Sequence, residues 1–244
     1  MVATDREALR KRVLGERDRI AKLSRIRELV LGGQDGLLVP LGVVTGLAGA
    51  SVGTTAIVVG GVAEAAAGAL AMGTGAWLSS RAENQLFRAE IEAEEAELSA
   101  DPELEREELE ILFHEEGLAE DDARGIADRI VHSPLAFAKT MVEKELGLPY
   151  GEVETALGDA FVVGSSYAVA AVVPLWPYFF WKAGSALPVS LAATGIALFV
   201  LGYAKGRVAH LSLLRSGLEV LVVGGLSAGI GYVIGSLGPR LFGA

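Results

Sequence analysis

Residues 36–63 read GLLVPLGVVTGLAGASVGTTAIVVGGVA, and this stretch contains no charged side chain. Three further runs share that property, at residues 160–181, 183–204 and 220–239. A helix that crosses a bilayer needs about 20 apolar residues, and each of these runs is long enough. Hydrophobic residues make up 51% of the 244-residue chain, a fraction that soluble proteins also approach. The clustering of these residues, rather than their number, therefore indicates a membrane protein.

The first uncharged stretch holds only parts of two spans, because a turn of small and polar residues at 49–55 divides it. We predict spans at 29–52 and 57–80 that form an antiparallel pair, since Gly and Ala recur there at spacings that let membrane helices approach closely. Three more spans are expected near 158–181, 185–204 and 216–238, which makes five. Pro174 and Pro177 are expected to kink or end the third.

A strongly acidic segment separates the second and third spans. Residues 83–154 contain 22 Asp and Glu against 6 Lys and Arg. Their apolar residues follow helical periodicity, and Asp101-Pro102 is a typical helix start. We predict short helices at 83–99, 102–117, 119–131 and 134–146. The first should continue the second span, because nothing between Ser80 and Leu98 would break a helix.

The N-terminal segment is basic, with nine Lys or Arg at residues 4–30 among apolar residues at helical spacing. Such a helix lies on a membrane surface or, alternatively, packs against the acidic domain. Lys and Arg in short loops set orientation, and the 205–215 loop is the other basic one. Five spans with a cytosolic N-terminus put both basic segments and the acidic domain in the cytosol. A chain that starts with charged residues rather than a signal peptide suits a multi-pass protein of a prokaryotic inner (cell) membrane.

Among the ionisable residues within the predicted spans, where charge is costly and usually functional, Asp35 and Glu64 stand out. Met72 adds a thioether at the middle of the second span. In a tight hairpin these three would form a ladder of ligands across the membrane, and Pro40 would free the carbonyl of Gly36 as a further oxygen ligand. The alternatives are a protonated, hydrogen-bonded Glu64, an interfacial cap at Asp35 and a space-filling Met72.

Candidate metal ligands recur at helical spacing in the acidic segment. Residues three or four apart share a helix face, and the candidates of this kind are Glu94 with Glu97, Glu105 with Glu108, and Met141 with Glu145. Carboxylates gathered on facing helices cannot all stay ionised without a cation. Oxygen ligands suit Mg²⁺, Ca²⁺, Mn²⁺ and Fe²⁺, and a thioether favours a softer transition metal. The alternative is that these are ordinary solvated faces.

The sequence lacks the residues that several other classes of function require. The chain has no cysteine, so thiolate metal sites and disulfides are excluded. His114, His132 and His210 are scattered, and no Walker-type phosphate-binding loop is present. An acidic domain argues against nucleic acid as a partner. The sequence predicts a transporter and not an enzyme, with no permanently bound cofactor.

Together these patterns predict an all-α fold, an integral membrane five-helix bundle with a cytosolic acidic helical metal-binding domain between spans 2 and 3. We divide the chain into a basic amphipathic helix (1–28), spans 1 and 2 (29–83), the acidic domain (84–156) and spans 3 to 5 (157–244). The alternative function at this point is a membrane-anchored metal sensor or storage protein without transport.

Three segments carry a resemblance to a known family. DGLLVPLGVVTGL (35–47), AMGTGAWLSS (71–80) and MVEKELGL (141–148) are similar to the vacuolar iron transporter (VIT) family, and the likeness extends from about residue 30 over nearly the whole chain. Two positions depart from the family pattern. Ala76 and Trp77 replace an acidic residue and Tyr, and Val142 replaces the second of two adjacent Met. The chain resembles a prokaryotic member without a ferritin-like domain.

The resemblance implies a homodimer in membrane lipid that exports Fe²⁺, or Mn²⁺, Co²⁺ or Zn²⁺, in exchange for protons, along a pathway at the dimer interface. The membrane pathway residues that it implies are Asp35, Glu64 and Met72. The cytosolic metal-binding residues that it implies are Glu94, Glu97, Glu105, Glu108, Met141 and Glu145.

Overall fold

The computed structural model describes residues 2–151 and 156–242, and for residues 240–242 and most of those before Ile26 it describes the backbone alone. All regular secondary structure in these ranges is helical. The helices are α1 (Val2–Gly49), α2 (Thr54–Ala100), α3 (Pro102–Glu115), α4 (Glu120–Ile130), α5 (Pro134–Lys144), α6 (Ala156–Leu175), α7 (Pro177–Phe180), α8 (Ala183–Val208) and α9 (Leu213–Phe242).

Among the described residues, five helices are long and apolar enough to cross a membrane, which confirms the predicted number of spans. They are α1 from Ile26 to Gly49, the apolar part of α2 before Arg81, and α6, α8 and α9. The third span ends earlier than predicted, at Leu175 rather than residue 181. The Trp176 N–H still donates to the Val172 carbonyl at 2.9 Å, and Pro177 ends this series of hydrogen bonds because proline has no backbone N–H to donate. The short helix α7 follows.

α1 differs most from the prediction, since it is one helix from Val2 to Gly49. The separate basic helix predicted at 1–28 is its N-terminal half, and no cap or proline precedes Pro40 to end it. The helix also continues through Pro40, which is buried, and the role of the Gly36 carbonyl as an oxygen ligand stays a prediction. Most side chains of the basic segment lie outside the described residues, so its packing stays a prediction.

Glycine lets α1 pack directly against two other helices. A Cβ on Gly231 or Gly235 of α9 would overlap the carbonyl oxygen of Gly42 or Gly46 of α1, respectively. Six residues before Gly42 in α1, a Cβ on Gly36 would meet the backbone of Tyr167 in α6. Backbone-to-backbone contact of this kind is how helices associate where no hydrophobic effect drives them together. The small-residue spacing in the sequence therefore has a packing role.

The described residues from Leu78 to Gly151 form a compact unit, which we call the acidic unit, and the remaining described residues form the membrane unit. The acidic unit contains the last part of α2, which runs through from the second span as predicted, and the helices α3, α4 and α5. Its apolar core consists of Leu109, Phe113, Ala123, Ala127, Phe137 and Met141. The predicted cap also forms, because the Asp101 side chain accepts a hydrogen bond from the Leu104 N–H at 3.3 Å.

Candidate metal sites

Three of the predicted carboxylates meet in the acidic unit. Glu94 of α2, Glu105 of α3 and Glu145, at the end of α5, each bring one carboxylate oxygen to within 4.8 Å of the others. Glu94 is 4% exposed and Glu105 is 3% exposed, whereas Glu145 is exposed. Two of the three carboxylates are therefore buried, and the third is open to solvent. We call these three residues the carboxylate cluster.

The chain reversal at Asp101 brings two members of the cluster together. Asp101 is the only residue between α2 and α3, so Glu94 lies two helical turns before the reversal and Glu105 one turn after it. Leu98 of α2 packs against the core around Leu109 of α3. That apolar contact holds the two helices side by side, and the carboxylates beside it are buried as a consequence.

Burial and mutual repulsion make the cluster reluctant to ionise. The pKa of Glu94 is raised to about 7, first by burial and then by the charges of Glu145, Glu105, Glu97 and Glu108 in that order. The pKa of Glu105 is likewise raised to about 7, first by burial and then by the charges of Glu108 and Glu145. The pKa of Glu145 is also raised, first by burial. At neutral pH the carboxylate cluster therefore holds protons that a cation would displace.

The other predicted ligands of this unit lie either near the carboxylate cluster or in the apolar core. Glu97 and Glu108 lie close enough for their charges to act on the carboxylate cluster, but they are not among the three whose oxygens converge. Met141 is fully buried in the apolar core. Val142, where the family has a second Met, is fully buried as well. The roles of these residues as ligands stay predictions.

Basic residues near the cluster pair with carboxylates outside it. Arg106 pairs with Glu103, Glu107, Glu110 and Asp128. Arg124 and Lys144 contact Glu110 and Glu116. One buried oxygen each of Glu94 and Glu105 accepts no hydrogen bond within the described part of the chain. Buried polar atoms are normally paired, so the cluster has the donor set and the unmet charge of a site for a divalent cation.

The membrane unit contains a second polar site, built around Glu64. The Tyr167 hydroxyl of α6 donates a hydrogen bond of 2.5 Å to Glu64 Oε1 of α2. Tyr167 is 2% exposed. The other carboxylate oxygen of Glu64 is buried and accepts no hydrogen bond from the described residues. Sequence reasoning missed Tyr167, and the only signal for it was a phenol in the middle of an uncharged run.

Asp35 of α1 also lies near Tyr167. It precedes Gly36, which packs against the backbone of Tyr167, and its carboxylate interacts electrostatically with the Tyr167 hydroxyl. Met72 is partly buried on α2, eight residues after Glu64, a rise of about 12 Å along a helix. The structure thus places Asp35 and Glu64 near one tyrosine, Tyr167, and the part of Met72 in a ladder of ligands stays a prediction.

Gly68 makes the contact between Glu64 and Tyr167 sterically possible. A Cβ at this position would lie 2.5 Å from Cζ and 2.6 Å from Cε1 of Tyr167. We expect Gly68→Ala to lower the melting temperature of the detergent-solubilised protein, because the rigid ring must move, at a typical overpacking cost of about 1–3 kcal/mol. Gly225→Ala is the matched control, since nothing lies within 4 Å of a Cβ on that spanning residue of α9. An unchanged melting temperature for Gly68→Ala would contradict this packing.

Comparison with known proteins identifies the family. Residues 26–236 match the family model described as the VIT family. Vacuolar iron transporter 1 of Tulipa gesneriana is 33% identical over 210 residues, which cover 86% of this chain and 85% of that protein. Vacuolar iron transporter 1 of Arabidopsis thaliana is 31% identical, covering 86% and 84%. Protein CCC1 of Saccharomyces cerevisiae is 29% identical, covering 85% and 67%. The resemblance found in the sequence is confirmed, and this multi-pass helical membrane protein belongs to the VIT family.

Proposed function

We propose that this protein exports divalent transition metal ions from the cytosol in exchange for protons, with Fe²⁺ as its main substrate and Mn²⁺ as a further one. The observation that carries the proposal is the carboxylate cluster, whose ligand oxygens meet within 4.8 Å while two buried oxygens lack any hydrogen-bond donor among the described residues. The names of the vacuolar iron transporters among its relatives support iron transport.

The donor set suits small divalent cations. Oxygen ligands bind Mn²⁺ and Fe²⁺ well, and Co²⁺ and Zn²⁺ compete for the same geometry. The acidic unit captures the ion, with Glu97 and Glu108 adding negative charge and Met141 a thioether. Asp35, Glu64 and Met72 then conduct the ion across the bilayer. The metal is cargo in this scheme, and no permanently bound cofactor takes part.

Proton exchange follows from the chemistry of a carboxylate inside a membrane. Such a group binds a proton when no cation is near and releases it when a cation arrives. Glu64 is suited to this role because Tyr167 holds one of its oxygens by a hydrogen bond and leaves the other for a proton or an ion. Each metal ion that enters the site expels a proton, and each that leaves allows one to return.

The assembly and topology in this proposal are those expected from the sequence. The protein acts as a homodimer, with spans 1 and 2 lining a pathway between the subunits. It lies in an inner cell membrane, with its N-terminus and the acidic unit in the cytosol. A membrane-anchored sensor or store that binds metal without moving it is the competing function.

Transport by the purified protein in liposomes tests the proposal. Vesicles would contain a metal-quenched dye and a pH-sensitive dye, and Mn²⁺, or Fe²⁺ without oxygen, would be added outside. We expect metal to enter while protons move the opposite way, and protein-free liposomes to show neither signal. Tight metal binding without entry would replace transport with sensing or storage, and metal entry without proton movement would refute the exchange.

The affinity of the carboxylate cluster for metal should depend on pH. Because the pKa values of Glu94 and Glu105 are about 7, metal must displace protons below pH 7 but not above pH 8. We expect Mn²⁺ binding, followed by the loss of the free-ion EPR signal, to weaken roughly tenfold or more from pH 8 to pH 6. Equal affinity at both values would show that the cluster does not bind the ion.

A further inference from the structure

Glu145 is the least constrained member of the carboxylate cluster. It follows the last residue of α5, and its N–H donates to the Met141 carbonyl at 2.8 Å. The chain then turns away at Gly147, whose φ of +66° is left-handed. Glu145 is exposed, unlike Glu94 and Glu105. Helix ends fray, so the position of this carboxylate depends on how firmly the last turn of α5 is held.

Lys144 holds that turn. Its Nζ lies 2.6 Å from both carboxylate oxygens of Glu116, which is the residue that ends α3. The same ammonium lies 4.6 Å from the centre of the Phe113 ring, and Phe113 packs in the apolar core with Met141. One side chain thus ties the end of α5 to the end of α3, the helix that carries Glu105.

The charge of Lys144 also suits its position. A cation is favourable at the negative end of a helix dipole, and Lys144 lies where two helices end. Its side chain is 24% exposed, against 54% for Glu116, so the ion pair is partly shielded from water. Adjacent residues of a helix point in different directions, which leaves Glu145 free to face the carboxylate cluster while Lys144 faces Glu116.

We propose that Lys144 is a positioning residue for metal capture. Through its ion pair with Glu116, Lys144 places the Glu145 carboxylate in the carboxylate cluster. This inference rests on the proposed function, in which the cluster binds the transported ion. Positioning and simple electrostatics predict opposite effects of Lys144→Met on metal binding. A positive charge next to a cation site repels the cation, so electrostatics alone predicts that its removal strengthens metal binding. Loss of positioning instead weakens metal binding.

The test is a Mn²⁺ titration of the full-length protein in detergent at pH 8, followed by EPR. We expect Lys144→Met to weaken binding about fivefold, the effect of one well-placed ion pair. Lys139→Met is the matched control, because it removes the same charge from α5 but its partner is Glu143, on the same helix at 3.7 Å. Binding by this control should be unchanged or slightly tighter.

A double variant in which residues 144 and 116 exchange their charges distinguishes a loss of positioning from a general loss of structure. Lys144→Glu combined with Glu116→Lys rebuilds the ion pair with its charges reversed, and we expect binding within about twofold of the original protein. Unchanged or tighter binding by Lys144→Met overturns the inference, and so does a double variant that fails to recover. Failure of Glu94→Gln/Glu105→Gln to weaken Mn²⁺ binding overturns instead the proposed function of the cluster.

Discussion

Replacing Glu64 with Gln will abolish coupled metal and proton movement in proteoliposomes, with a rate at least roughly tenfold below that of the original protein. The substitution keeps the size of the side chain, and its amide oxygen can still accept the hydrogen bond from Tyr167. The fold around α2 and α6 should therefore survive. What disappears is the ability to exchange a proton for a cation, since an amide neither titrates nor carries charge at neutral pH.

Two further variants make this result specific. Glu219→Gln removes an exposed carboxylate from α9 and should transport normally, which controls for a change in net charge within the spans. Tyr167→Phe removes the hydrogen bond to Glu64 but leaves the carboxylate, so we expect slower transport that remains coupled to protons. If Glu64→Gln transports metal with full proton coupling, Glu64 is not the proton carrier.

The architecture could be predicted because the bilayer imposes strict rules on sequence. Long runs of mainly apolar residues predicted all five spans, and Asp101-Pro102 marked the start of α3 through its cap. The continuity of α1 was harder to predict from the sequence. A change from basic to apolar residues near Leu29 looks like a boundary, yet composition alone does not end a helix. Only a cap, a glycine in a turn or a proline would have done so, and Pro40 is accommodated inside the bundle.

The carboxylate cluster was partly visible in helical spacing. Glu94 and Glu105 were predicted from pairs on one face, and Glu145 from its spacing to Met141. Spacing within a helix does not reveal which members of each pair converge, because that depends on how the helices pack around Leu109. Tyr167 was missed for the same reason. Its partner Glu64 is 103 positions away, and the contact exists only because α2 and α6 meet at Gly68.

Removing the two buried carboxylates of the cluster should have opposite effects on metal binding and on stability. We expect Glu94→Gln/Glu105→Gln to weaken Mn²⁺ binding to the acidic unit by about 100-fold or more, since two of three charged oxygen ligands become neutral. Without metal at pH 8, the same variant should melt at a higher temperature than the original protein. At this pH the original protein holds two buried carboxylate charges, which are costly to bury and repel each other. The amides of the variant avoid both costs.

The pH dependence of stability follows from the direction of the pKa shifts. The folded pKa values of Glu94 and Glu105, about 7, exceed the ordinary value of 4.5, so between these values the folded protein binds more protons than the unfolded chain. Stability without metal should therefore decline as the pH rises from about 4.5 to about 7. Added Mn²⁺ should restore it at pH 8, where the cluster is ionised. Thermal unfolding in EDTA and in Mn²⁺, across this pH range, measures both effects.

The matched control is Glu92→Gln/Glu115→Gln, which changes the net charge equally at two exposed positions of the acidic unit. It should retain Mn²⁺ affinity within about threefold and the decline of stability with rising pH, because general attraction of cations at a surface is weak and screened. If both double variants lose affinity equally, the acidic unit attracts metal by its overall charge alone. If Glu94→Gln/Glu105→Gln melts lower than the original without metal, the buried carboxylates stabilise the fold and the cost assigned to them here is wrong.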